Sequence, residues 1–250
     1  DSGDLTLATG NSAASAAGSV SMKAGQSGAE IGGSIQLSAG SSETSTGGKV
    51  SLLGGAGAVA AGGSIDVSTA TKQAQQSGAF TVNTGNGLEG ASGGIAIKTG
   101  KSILKSGSVL VTGGNSQNIG GDVQIIGASG SLTGGSISMV SGAGSNGGNV
   151  NLLSANSELG NSGEINIETG RSQAATTGSS SLRIQTGSSA GTNEGGGIHI
   201  IAGQTTGIGG SVVMQAGTSS SLTGGSINMY SGKSDTGTSG AISIGSESGA

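Results

Sequence analysis

His199 is the only histidine among 250 residues and cysteine is absent, so any nucleophile or base must be sought among serines and carboxylates. A serine attacks only when a positioned base takes its proton. His199 sits in GGGIHII, at an outward position of an apolar segment, with no recurring partner to orient its ring. Its expected place is the exposed surface. No Gly-x-Ser-x-Gly elbow stands at a strand-to-helix turn.

Carboxylates are the next candidates. Glu164 and Glu168 share one face of one segment, and Asp4, Asp122 and Glu164 share one position of the repeat defined below. A glycosidase pair or a calcium site needs carboxylates converging on one point. The scatter of these residues predicts solvated side chains instead. GGSID and GGDVQ only graze the Gly-Gly-x-Gly-x-Asp pattern of calcium-binding β-rolls. Lys98, Lys101 and Lys105 form a small basic cluster, read as solubilising. GGAGAVAAGG lacks the GK[ST] ending of a phosphate loop. Tyr230 stands alone, too little for an aromatic platform, and no Asn-x-Ser/Thr glycosylation acceptor occurs. The expectation is no catalytic, cofactor-binding or metal residue, no cofactor, and no enzyme activity.

Composition narrows the class further. There are 56 glycines and no proline, which excludes collagen. Charged residues make up 9% and the net charge is −4, too little basic character for a phosphate-neutralising surface. No apolar run approaches the length that spans a bilayer. The chain begins without Met and reads as an internal or processed piece of a longer protein.

Self-similarity is the dominant signal. The unit reads [Gly/Ser]-Gly-x-Φ-x-Φ-x-small-Gly-x-Ser plus a variable tail, Φ being aliphatic. SGDLTLATGNS from Ser2, GGSIQLSAGSS from Gly32, SGGIAIKTGKS from Ser92, SGEINIETGRS from Ser162 and GGSINMYSGKS from Gly224 are clear copies. Seventeen copies follow one another, mostly 15 residues apart. Positions four and six run from Leu5/Leu7 through Ile35/Leu37, Ile95/Ile97 and Ile165/Ile167 to Ile242/Ile244 without a polar interruption. Apolar alternation of this kind predicts a strand with one buried face. Position nine is glycine almost throughout, with Ala70, Ala128 and Ala155 as exceptions, and predicts either positive φ or close backbone approach. Position eleven is Ser, Thr or Gly almost throughout, Lys72 being the exception.

A longer period overlies the first. SLTGGSISM from Ser131 returns as SLTGGSINM from Ser221, and Ile31, Ile119 and Ile208 each precede a Gly-Gly, six units apart. Thr-Gly at positions eight and nine recurs at Thr9, Thr84, Thr99, Thr169 and Thr186, again at six-unit intervals. No compositional boundary interrupts the array, so residues 1–250 are expected to form one continuous domain.

Repeats reading SGxIxIxTGxS in blocks of about six resemble long Gly/Ser-rich repetitive proteins of diatoms and related algae, over the whole chain. That resemblance implies a secreted or cell-surface protein, and it carries over no functional residue.

One unit buries too few side chains to offset the entropy of ordering it, so units are expected to stack. The predicted fold is all-β: a single-chain β-solenoid of about seventeen coils of 13–17 residues, or alternatively 30-residue coils with two facing sheets. The predicted function is a structural module of an extracellular fibre, appendage or adhesive coat. Assembly would run end-to-end or laterally through open strand edges, with a polysaccharide or surface matrix as a further partner and neither nucleic acid nor a membrane span involved. An ice-binding solenoid is the alternative. Its regular Thr-rich face is missing, since outward position five runs Thr6, Ser21, Gln36, Ser51, Asp66, Thr81, Ala96, Leu110 and later Arg183 and His199. A carbohydrate-active β-helix needs longer coils with clustered acids, and ranks last.

Overall fold

The structure is a computed structural model that describes residues 2–70, 76–173, 178, 180–189 and 194–246. Lys72 lies outside the described residues. The chain divides into two units, Asp1–Gln124 and Ile125–Ala250, the division falling between positions five and six of the ninth repeat. Both are built from the same local elements.

Among the described residues, a repeat consists of an extended segment, positions three to seven, and a loop from position eight to position two of the next repeat. Period two survives in the segments. Ser64 Oγ donates to Asp66 Oδ2 at 3.3 Å, Asn228 Nδ2 to Ser226 Oγ at 3.2 Å, and Arg183 Nε to Gln185 Oε1 at 2.8 Å. Short side chains two apart come within reach of one another where the backbone is extended and successive side chains alternate sides. Odd positions therefore share one face, and the aliphatics at four and six share the other.

Alternation does not lead to a sheet. Among the described residues there is no helix and no strand. The predicted β-solenoid is therefore not formed, in either the 15- or the 30-residue winding. A solenoid coil pairs the amides and carbonyls of its extended segment with those of the coils above and below. Here the backbone bonds between consecutive repeats fall at the loop ends, a single bond at each of ten junctions. The Gly33 amide donates to the Gly25 carbonyl at 3.0 Å, Gly48 to Gly40 at 2.8 Å, and Gly63 to Gly55 at 2.8 Å. Each bond runs from position two back to position nine and closes the intervening residues into a compact loop with neighbouring ends, an Ω-loop in miniature.

Position eleven starts the turn of that loop. Ser27 Oγ accepts from the Ala29 and Glu30 amides at 3.3 and 2.9 Å. The hydroxyls of Ser12, Ser42, Ser157, Ser219 and Ser234 each accept from an amide three residues on. Those of Ser102, Ser116 and Thr205 accept from an amide two residues on. This is how short hydroxyl side chains compete for backbone donors and hold turns. Loops with glycine at position eleven turn differently: a Cβ on Gly57, Gly87 or Gly130 would collide with the carbonyl oxygen of the residue three further on. Ser or Gly at this position thus reflects two loop forms.

The glycine at position nine has another explanation than the one predicted. Among the described residues no glycine takes positive φ. A Cβ on Gly25, Gly40 or Gly55 would meet nothing within 4 Å, and Ala128 and Ala155 accept the same junction bond, at 2.8 and 3.0 Å. The close approach is made by position two instead. A Cβ on Gly33 would stand 3.2 Å from both Ala24 Cβ and Gly25 N, and one on Gly48 would stand 3.2 Å from Ala39 Cβ.

Candidate interaction surface

The aliphatic rows are uncovered. Among the described residues none is buried, polar or apolar. Ile95 is 57% and Ile97 75% exposed, so the pairs predicted to face inward lie open to water. Consecutive repeats nevertheless shield one another in part. Most position-four residues cluster near half exposure, whereas Leu5, in the first repeat, reaches 98%. Position six behaves likewise, with Ile244 in the last repeat at 83%. The preceding repeat shades position four and the following repeat shades position six, and neither closes over it.

Apart from Ser172 at position eleven, what coverage exists among the described residues collects at position eight. Ala24, Ala39, Gly113, Gly127, Thr186, Ala202 and Ala216 are half-buried, against the position-two glycine of the next repeat. The restriction of position eight to Gly, Ala, Ser and Thr, opposite a nearly invariant glycine, is the signal that marks it.

The chain's accessible surface is 25372 Å². A folded monomer of this mass exposes about 9,700 Å², and the fully unfolded chain about 33,500 Å². As a single molecule the array therefore remains closer to the unfolded chain in exposed area than to a folded one.

None of the singled-out polar residues is drawn into a centre. His199 is exposed, and its Nε2 lies 3.2 Å from the point a Cβ on Gly197 would occupy, so the ring folds back along its own segment. Glu164, Glu168, Asp4 and Asp122 are exposed, as are Lys98, Lys101 and Lys105. Among the described residues no three His, Asp or Glu side chains gather into a metal-binding group, and no cavity is present. Lys233 Nζ contacts Asp235 Oδ1 at 2.6 Å, both side chains highly exposed. Solvent screening leaves such a pair almost no energetic weight. The extended aliphatic surface is the feature with functional potential.

No protein-family model, no curated protein and no solved structure matches this chain.

Proposed function

We propose that this chain is a structural repeat module of an extracellular fibre, appendage or adhesive coat, whose aliphatic rows are covered by further copies of the same array. One observation carries the reading: the full series of position-four and position-six residues stays exposed in the isolated chain. Covering what remains open on one such pair is worth about 2–3 kcal/mol. Seventeen repeats multiply that gain while the loss of overall freedom on association is incurred once. A net charge of −4 over 250 residues offers little repulsion between copies. Because the rows repeat with nearly one spacing, a second copy presents a matching surface at every step.

Strand edges are not the adhesive element in this reading, since the structure has none among its described residues. The apolar rows take that role, and a polysaccharide or surface matrix would meet the polar face of positions three, five and seven.

Sedimentation velocity on residues 1–250 tests the proposal, with electron micrographs of the same samples. Concentration-dependent growth into elongated assemblies, with loss of binding to a hydrophobic dye, is the expected result. A chain that stays monomeric at several hundred micromolar while still binding the dye would overturn it.

A further inference from the structure

The junctions between repeats exist in two states, and one side chain separates them. Ten junctions carry the amide-to-carbonyl bond from position two to position nine. At those ten, position eight is Ala24, Ala39, Gly54, Gly113, Gly127, Ser141, Ser154, Ala202, Ala216 or Ser231. At the junctions following Thr9, Thr84, Thr99 and Thr186, the bond is absent among the described residues. The loops following Thr69 and Thr169 run through residues outside the described set, as does the loop following Thr186, whose two ends are described.

Other differences between repeats fail to sort the two states. The closed junctions span loops of different lengths, as Gly142 to Gly148 and Gly25 to Gly33 show, and the open junction from Gly100 to Gly107 falls within that range. Position eleven is serine in the closed Gly40–Gly48 junction and in the open Gly10–Gly18 junction. Position one is serine at the closed junctions ending in Gly163 and Gly240 and glycine at the open one ending in Gly196.

The contacts supply the cause. At closed junctions the point where a position-two Cβ would stand lies 3.1 to 3.4 Å from the position-nine nitrogen, as at Gly121 and Gly148. At Gly18, Gly93 and Gly107 no position-nine atom comes within 4 Å of that point. Instead the threonine Cγ2 lies 3.6, 3.8 and 3.6 Å away. At these three the branch methyl fills the space through which the two backbones would approach, whereas the point at Gly196 lies 3.1 Å from Thr186 Cβ and 3.5 Å from its Cγ2. The hydroxyl is not responsible, because Ser141, Ser154 and Ser231 carry one and their junctions close at 2.9, 3.0 and 2.9 Å. With the approach blocked, the threonine hydroxyl turns to the other group of position two: Thr9 Oγ1 donates to the Gly18 carbonyl at 3.0 Å, and Thr186 Oγ1 to the Gly196 carbonyl at 2.9 Å.

We propose that position eight is a steric selector, by which a β-branched side chain holds the junction open and a smaller one lets it close, so that threonine junctions are set points at which the array opens first. Thr9, Thr99 and Thr186 stand six repeats apart, so runs of closed junctions alternate with open ones along the long period. The proposal concerns the backbone within a chain and does not depend on association between chains.

Hydrogen exchange followed amide by amide tests it. In the unaltered chain the Gly33, Gly48 and Gly225 amides should exchange roughly three- to tenfold more slowly than those of Gly18, Gly93 and Gly107, the scale of one net backbone bond. Thr99→Ser should slow Gly107 into the protected group, whereas Thr99→Val, which keeps the branch and removes the hydroxyl, should leave it fast. Ala39→Thr should release Gly48. Equal rates in the two groups, or a Thr99→Val chain that protects Gly107, would refute the selector.

Discussion

The loop regions and the extended segments of each repeat are equally regular in sequence, yet they reach very different ends. From position eight to the following position two, polar groups find partners within a few residues: Ser27 takes two amides, and Gly25 takes the Gly33 amide. From position three to seven the backbone is extended and the aliphatics at four and six find only partial cover, with Ile95 and Ile97 open to water. Local hydrogen bonding can be completed by a short stretch of chain closing on itself. Apolar burial needs a second surface, and one repeat does not hold one.

The sharpest way to break this contrast is to make the segments indifferent to association. Ile95→Asp with Ile97→Asp places two charges in one row, and burying either against another copy is costly. The concentration at which assemblies appear in sedimentation should rise by about tenfold or more, while exchange at the neighbouring closed junctions stays as it was. An unchanged threshold would mean that the rows are not the contact.

A smaller effect is expected in the loops. Gly48→Val puts a branched side chain where even a Cβ stands 3.2 Å from Ala39 Cβ. The Gly48–Gly40 bond should be lost at a local cost of roughly 1–3 kcal/mol, read as fast exchange at residue 48. Retained protection there would show that the junction has more room than its geometry indicates.

The smallest effect belongs to the turn. Ser27→Ala removes the acceptor for the Ala29 and Glu30 amides. Exchange at those two should accelerate by a few fold, consistent with about 1 kcal/mol for a solvent-accessible bond, and assembly should be untouched. A large loss of assembly from this change would transfer the interaction to the loops.

The legibility of these features follows the range of the forces involved. Serine at position eleven announces a turn because its hydroxyl acts on amides two or three residues away, as Ser42 and Ser157 do. The six-repeat recurrence of Thr9, Thr99 and Thr186 was visible as a pattern, but its meaning was not, because the methyl acts on a glycine of the next repeat. Glycine at position nine suggested crowding that in fact lies at position two.

By itself the sequence determined the repeat, its length and the alternation of its segments, since all of these arise from contacts within about fifteen residues. Whether the aliphatic pairs would be covered was decided only in three dimensions. Alternation specifies which side of a segment is apolar, but pairing it with the next requires a register between distant backbones that local bonds at the loop ends do not impose.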